Sequence, residues 1–163
     1  MISELQLESK KSTDALRWII NILNKHHIIY QVTGGLAAKV YGAKRSLADI
    51  DLDLPGQAIR IILSEVKPYI ICGPKRFRDE QWDILLLTID YHGQLIDISG
   101  ADDGLIFDRI NNQWEKCEVD FSAVVEKKID DIVVKVISKA DLIKYKSVLK
   151  REVDILDLSE LTN

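Results

Sequence analysis

The apolar positions of this 163-residue chain follow a helical period in some stretches and a strand period in others. Apolar residues recur every three or four positions in three segments that we predict to be amphipathic helices, at residues 13–25, 36–41 and 58–66. Short apolar or alternating runs predict strands at residues 28–33, 49–54, 69–72, 84–91, 94–99, 115–119 and 132–137. We therefore expect the first helix to pack on a sheet.

Turn and cap residues punctuate this pattern. A His92-Gly93 turn joins two alternating strands into a predicted hairpin. The charged segment 74–81 is predicted to be a mobile loop. Ser138 is expected to cap a helix that ends near Lys150, and a short last helix follows.

Length and composition indicate an ordinary globular protein. A chain of 163 residues is long enough for one well-packed domain. We place a soft boundary before Ser138, which leaves a core at residues 1–137 and a C-terminal helical extension at residues 138–163, packed on the same domain. No apolar stretch reaches the roughly 18 to 20 residues of a membrane span, and the amino terminus has no signal pattern. We therefore expect a cytoplasmic protein with no membrane partner.

Charge and reactive residues narrow the function classes. The net charge of -4 gives no overall attraction to nucleic acid, although the basic segment 75–78 is either a local nucleic-acid contact or a solvated loop. Nucleic acid is thus disfavoured but stays open. No histidine lies in a nucleophile-base pattern, so Ser-His-Asp hydrolysis has no support. Cys72 and Cys117 lack the spacing of a zinc site and are interpreted as reduced and structural.

Three carboxylates alternate with aliphatic residues in one predicted strand. Asp49, Asp51 and Asp53 share a strand face, because successive side chains of a strand point to opposite sides. Such carboxylates repel one another unless a hard cation such as Mg²⁺ lies among them. The alternative is an edge strand with a solvated face, but aspartate is depleted from strands.

A glycine pair precedes this strand. Gly34 and Gly35 end a predicted strand fourteen residues before Asp49. Glycines allow backbone N–H groups to approach a ligand closely, and the start of a following helix favours phosphate. Carboxylates opposite such a turn would hold the metal that bridges the phosphates, so the two features together predict a site for a metal and a nucleoside triphosphate.

These motifs resemble the signature of a known superfamily. Val32–Gly35, thirteen intervening residues and Asp49–Leu52 are similar to the motifs of the nucleotidyltransferase superfamily, which has a polymerase-beta-like fold. The resemblance is nearest to the small antibiotic-type adenylyltransferases and to the nucleotidyltransferases of toxin-antitoxin and abortive-infection systems. It implies an α+β fold, with a two-layer, mixed β-sheet core flanked by helices and short C-terminal helices.

The resemblance implies a third carboxylate, flanked by apolar residues on a later strand. Asp97 stands in apolar company in the strand at 94–99, where an unpaired carboxylate would be costly to bury. The resemblance implies that Asp49, Asp51 and Asp97 are the catalytic residues and the ligands of Mg²⁺ or Mn²⁺. Asp97 would complete a second metal site or take the acceptor's proton. Asp90 is the second choice, and Asp53 is expected to be an accessory residue, solvated beside Pro55.

The resemblance also implies phosphate ligands. Gly34 and Gly35 would bind the nucleotide, and Lys44 and Arg45, in the loop where the superfamily has a basic residue, would neutralise pyrophosphate. Lys146 would reach the phosphates from a closing helix; its alternative is a solvated side chain. Leu47-Ala48 replace the polar step that the superfamily usually has before Asp-x-Asp.

The function implied is the metal-dependent transfer of a nucleoside monophosphate from a nucleoside triphosphate, ATP being the expected donor, to a hydroxyl of a small molecule or macromolecule. One alternative is a catalytically silent, antitoxin-like binding protein of the same fold. Another is the same chemistry on a protein or tRNA acceptor. The acceptor, the base preference and the oligomeric state, including a homodimer or a protein partner, are not set by the sequence.

Overall fold

A computed structural model describes residues 4–161. Its helices are α1 (Lys10–Lys25), α2 (Gly34–Val40), α3 (Gly56–Val66), α4 (Lys139–Leu149) and α5 (Glu152–Leu161). Its strands are β1 (Gln31–Thr33), β2 (Asp49–Leu54), β3 (Ile70–Arg78), β4 (Trp82–Tyr91), β5 (Gln94–Gly100), β6 (Leu105–Asp108), β7 (Gln113–Lys116), β8 (Val125–Ile129) and β9 (Ile132–Val136). Among these residues, no helix is long and apolar enough to cross a bilayer.

The strands form one mixed sheet. Its order is β7-β6-β4-β5-β2-β1-β9-β8, and β3 pairs with β4 outside this path. The β2/β5 and β1/β9 pairs are parallel, whereas the other pairs are antiparallel. The expected α+β fold, a mixed sheet flanked by helices, is confirmed.

The alternation in β2 separates a core face from a polar face. Ile50, Leu52 and Leu54 are fully buried, while the aspartates between them are half-buried. Residues of α1 and α3, such as Leu16 and Ile62, are buried in the same core. Each such side chain contributes about 1.5–3 kcal/mol on burial. Packing of one sheet face therefore fixes the direction in which the aspartates point.

Some predicted elements were wrong. The mobile loop predicted at 74–81 is mostly strand, because β3 runs to Arg78 and pairs along β4. Its polar side chains gave no strand pattern, yet an edge strand tolerates charge and is stabilised through backbone pairing. Arg76 of β3 also donates a hydrogen bond to Asp83 of β4. Strands β6 and β8, which are short or highly charged, were not predicted from the sequence.

The C-terminal helices lie beside α2. The predicted cap is confirmed, since Asp141 donates its backbone N–H to Ser138 Oγ at 3.1 Å. The α4 helix ends at Leu149, and the following cap residue, Lys150, takes a left-handed conformation. Leu142 of α4 and Leu161 of α5 are buried in the core. The two helices thus stand next to the glycine-bearing helix and the loop after it.

Candidate active site

The sheet register aligns a row of polar residues across four strands. Thr33 of β1 pairs with Asp51 of β2, Asp51 pairs with Asp97 of β5, and Asp97 pairs with Thr88 of β4. The Asp51/Asp97 pair is parallel, so the two residues present their side chains on the same sheet face. Distant parts of the sequence therefore meet on the polar face.

Three carboxylates converge on this face. Asp49, Asp51 and Asp97 each offer one oxygen, and these oxygens lie within 4.8 Å of one another. Within residues 4–161, no lysine, arginine or histidine nitrogen forms a salt bridge with any of them. The protein thus holds a cluster of like charges without a bound basic partner, an arrangement that suits a hard divalent cation.

The pKa shifts of the cluster reflect this crowding. Burial raises the pKa of Asp51 well above its usual range, and the charges of Asp49, Asp97 and Asp53 raise it further. Burial also raises the pKa of Asp97; the hydrogen bond from Thr88 opposes this rise and the charge of Asp49 adds to it. The cluster therefore favours binding either a proton or a metal ion.

Thr88 orients the third carboxylate. Its hydroxyl donates to Asp97 Oδ1 at 2.6 Å. The bond holds one oxygen of Asp97 and leaves the other for a ligand. The sequence analysis missed Thr88, although counting back from the predicted His92-Gly93 turn places it opposite Asp97.

Each glycine of the pair makes room for one functional side chain. Gly34 has a φ of +60°, and a Cβ there would collide with the Asp51 carboxylate. A Cβ on Gly35 would lie 2.8 Å from Nη2 of Arg45. The two glycines thus leave space for the Asp51 carboxylate and the Arg45 guanidinium next to each other, and they also expose backbone N–H groups.

Arg45 is held by the last helix. Its Nε and Nη2 donate to the two carboxylate oxygens of Asp157 at 2.8 and 3.0 Å. Lys146 Nζ lies 3.0 Å from Asp157 and 3.2 Å from Asp154. Arg151 completes the network, because its Nε donates to Asp154 at 2.7 Å. The structure therefore surrounds the two buried aspartates with three cations.

The predicted basic residues occupy different positions. Arg45 lines the cavity in front of the carboxylates. The Lys44 side chain is exposed and does not line this cavity; its backbone N–H donates to Glu160. Lys146 lines the cavity, but its side chain is 1% exposed and bonds the two aspartates of the network. The alternative interpretation of Lys146, a solvated side chain, was therefore wrong.

The remaining aspartates of these strands are placed differently from expectation. The solvated position expected for Asp53 was wrong, since it is half-buried and accepts a hydrogen bond from Gln31 at 2.7 Å. Burial, opposed by this bond, raises the pKa of Asp53 to about 6. Asp90 accepts a hydrogen bond from the Gly93 N–H in the hairpin turn and does not line the cavity.

The cavity before the carboxylates is large. Its volume is about 1100 Å³. Lys144, Tyr145 and Trp82 also line this cavity. None of the three was predicted from the sequence to be a site residue. Tyr145 and Trp82 lie on distant elements, and their ring centroids are 5.6 Å apart. A cavity of this size can hold a nucleotide and part of a second molecule.

Comparisons with known proteins give structural likeness at low sequence identity. A candidate nucleotidyltransferase from Thermotoga maritima superposes with a TM-score of 0.75 at 18% identity, covering 98% of this chain and 96% of that one. The lincosamide adenylyltransferase LnuA, solved with lincomycin, gives 0.60 at 15% identity, covering 92% of this chain and 96% of that one.

The adenylyltransferase ANT(2'')-Ia, solved with adenylyl-2''-tobramycin, also gives a TM-score of 0.60 at 15% identity. That match covers 92% of this chain and 87% of the other. No family model matches the sequence, and no curated protein does so. The chain therefore has the nucleotidyltransferase fold that its Gly-Gly and Asp-x-Asp motifs predicted.

Proposed function

We propose that this protein is a metal-dependent nucleotidyltransferase that moves a nucleoside monophosphate from a nucleoside triphosphate to a hydroxyl group, with ATP as the expected donor. The convergence of Asp49, Asp51 and Asp97 within 4.8 Å carries this proposal. The glycine pair and Arg45 lie beside them on a cavity of about 1100 Å³. The proposal joins this geometry to a fold shared with adenylyltransferases.

The three carboxylates fit Mg²⁺ or Mn²⁺. All three donors are hard oxygens, the ligands that such cations prefer. The charges that raise the pKa of Asp51 are the other carboxylates, so a cation would relieve the repulsion. When bound, the metal neutralises triphosphate charge and stabilises the attacking and leaving oxygens of the displacement.

The chain's own groups then have separate tasks. Asp49 and Asp51 would hold the metal, and Thr88 fixes the orientation of Asp97. Asp97 either completes the metal site or accepts the proton of the acceptor hydroxyl through its second oxygen. A carboxyl whose pKa is raised by burial is a better base than an exposed one, which suits the second role.

Arg45 is the proposed phosphate ligand of the basic loop, and Gly34 and Gly35 expose backbone beside it. Lys144 lines the same cavity and adds a second positive charge. We assign Lys146 to the support of this wall, since both of its carboxylate partners are buried. Lys44 points outside the cavity and is assigned only a long-range charge effect.

A small molecule is the favoured acceptor. Two of the solved structures that this chain resembles contain lincomycin or an adenylylated tobramycin, and each match covers 92% of this chain. The cavity volume of about 1100 Å³ leaves space beyond a nucleotide. Experiment must distinguish a small-molecule acceptor from a protein or tRNA acceptor. It must also distinguish an enzyme from a silent protein that binds nucleotide without turnover.

The test is a panel of the four common nucleoside triphosphates with Mg²⁺ or Mn²⁺, followed by pyrophosphate release. Small-molecule hydroxyl compounds, proteins and RNA are supplied as separate acceptor pools. We expect release that requires metal and rises with one pool, together with a labelled product in that pool. Metal-dependent triphosphate binding without release in any pool would instead identify the silent binding protein.

A further inference from the structure

The last helix reaches the basic loop through one side chain. Asp157 of α5 accepts both hydrogen bonds from Arg45 described above, in the bidentate geometry that fixes a guanidinium plane. The Asp157 side chain is fully buried, while that of Arg45 is 24% exposed. The carboxylate is therefore an internal anchor, and the guanidinium connects it with the cavity.

The guanidinium retains donors for a ligand. An arginine has five N–H donors, and Asp157 takes two of them. In residues 4–161, no other acceptor is bonded to this guanidinium. Arg45 lines the same cavity as the three carboxylates, so three donors are left for an anion there.

The neighbouring backbone accommodates this orientation. The nearest atoms to a Cβ added on Gly35 are all in the Arg45 guanidinium, at 2.8 to 3.3 Å. Any side chain at position 35 would therefore push the guanidinium away from its place. Gly35 thus leaves room for the guanidinium that Asp157 binds.

The network also carries excess positive charge. Arg45, Lys146 and Arg151 supply three cations, whereas Asp154 and Asp157 supply two carboxylates. All three cations belong to residues that line the cavity. Within this network the cations therefore outnumber the carboxylates by one, and the charges of Asp49 and Asp51 in the same cavity also act on Arg45 and Arg151.

We propose that Asp157 is a positioning residue that holds Arg45 in the orientation in which it binds the phosphates of the nucleotide. This inference rests on the proposed function. Asp157 itself touches no ligand; by fixing the guanidinium before binding, it removes the entropy loss of ordering a long side chain. The C-terminal helix thereby takes part in triphosphate recognition through a residue outside both sequence motifs.

A double-mutant cycle tests this assignment. The probe is the ATP analogue with a methylene group between the α and β phosphates, titrated with Mg²⁺ by calorimetry; inorganic tripolyphosphate serves as a probe without a base. We expect Asp157→Asn to weaken analogue binding on the order of tenfold, the loss typical of a charged hydrogen-bonding group. Asp157→Asn combined with Arg45→Ala should bind no more weakly than Arg45→Ala alone.

Asp154→Asn is the matched control. Asp154 is equally buried on the same helix and bonds the same lysine, but it does not touch Arg45. Because Asp154 acts on Arg45 only through its charge and through the shared Lys146, Asp154→Asn should weaken analogue binding less than Asp157→Asn does. Gly35→Ala supplies a second route if Asp157→Asn fails to fold, because it displaces the guanidinium and leaves Asp157 intact. It should also weaken binding about tenfold.

The possible results distinguish a failure of the positioning role of Asp157 from a failure of the proposed nucleotidyltransferase function. Wild-type affinity in folded Asp157→Asn, tighter binding, or an additive cycle with Arg45→Ala would overturn the positioning role while the proposed function stands. If Asp157→Asn is unfolded, wild-type affinity in Gly35→Ala overturns it. If the wild-type protein binds neither probe, the proposed function fails and the positioning role fails with it.

Discussion

Asp51 and Asp97 are paired residues on adjacent parallel strands, although they are 46 positions apart in the sequence. Like charges opposite each other in a sheet are destabilising. The protein nevertheless adds the Asp49 carboxylate to the same site, with all three oxygens within 4.8 Å. Repulsion among these carboxylates therefore destabilises the metal-free fold, and a bound cation would relieve it.

The first prediction concerns stability without and with metal. In EDTA, Asp51→Asn should raise the free energy of unfolding by about 1 kcal/mol, because it removes a repelling, desolvated carboxylate. Mn²⁺ should stabilise the wild type by about 2.7 kcal/mol at a hundred times its dissociation constant, and the variant much less. Urea unfolding in EDTA and in Mn²⁺ measures both.

Asp90→Asn is the control for this substitution, because Asp90 lies in the neighbouring hairpin outside the cavity. It should respond to Mn²⁺ as the wild type does. An equal response of Asp51→Asn and the wild type would contradict the metal assignment.

The second prediction concerns pH. The pKa values of Asp51, Asp53 and Asp97 are raised in the fold, so the folded protein holds more protons than the unfolded chain. Metal-free stability should therefore fall as pH rises from about 4, the unfolded pKa of aspartate, and Asp53 should contribute up to about pH 6.

Thermal unfolding in EDTA between pH 4 and 8 measures this dependence. Asp53→Asn should remove only the share of Asp53, which lies between about pH 4 and pH 6, and leave that of Asp51 and Asp97. Protons compete with the cation, so the affinity for Mn²⁺, followed by electron paramagnetic resonance, should increase over the same range. A metal affinity that is independent of pH would count against the raised pKa of the cluster.

The third prediction concerns Lys146. Its substitution by methionine leaves two buried carboxylates without their shared cation, a change that typically costs about 3–5 kcal/mol. Urea unfolding should show this loss. If Lys146→Met instead keeps wild-type stability and only loses affinity for the triphosphate analogue, Lys146 is the direct phosphate ligand that the sequence resemblance implied.

The same network should respond to acid. Burial acts to raise the pKa of Asp154, but the hydrogen bond from Arg151 and the charges of Arg151 and Lys146 outweigh it and lower the pKa. A lowered pKa stabilises the fold above the unfolded value of about 4, and the contribution is lost as pH falls further. Acid unfolding of Asp154→Asn should therefore be less steep below about pH 4 than that of the wild type.

The fourth prediction concerns Gly34. Alanine at this position would have to adopt a positive φ and would collide with the Asp51 carboxylate. We expect a loss of about 1–3 kcal/mol of stability and weaker Mn²⁺ binding. Gly42→Ala is a useful control, because Gly42 also has a positive φ but the added Cβ would lie 3.8 Å from the nearest atom, the backbone oxygen of Glu160. Gly42→Ala should keep the metal affinity of the wild type.

The sequence predicted the local parts of the site better than the long-range ones. Alternation in β2 predicted the shared face of its aspartates, and apolar flanks singled out Asp97, which the structure brings to them. Thr88 was accessible as well, because the hairpin turn determines its register with Asp97. The shared face of the aspartates and the register of Thr88 depend on strand period and turn position, whereas the choice of Asp97 also used the family resemblance.

The support around Arg45 could not be predicted in the same way. It depends on how α5 packs against the loop after α2, and helix periodicity does not specify that approach. Asp157 is buried on a helix whose Ile155 and Leu156 are exposed, the reverse of an ordinary amphipathic pattern. Most of strand β3 was not predicted for a related reason: its backbone pairs with β4 although its side chains are mostly polar.

The most direct test measures nucleotidyl transfer by Asp51→Asn and Asp97→Asn against Asp90→Asn, with the donor and acceptor that the panel identifies. Single-turnover transfer of a labelled monophosphate is followed in Mg²⁺, with thermal unfolding confirming that each variant is folded. The account predicts a loss of at least about a hundredfold for the first two variants and little change for Asp90→Asn. Transfer by folded Asp51→Asn at the wild-type rate would contradict it.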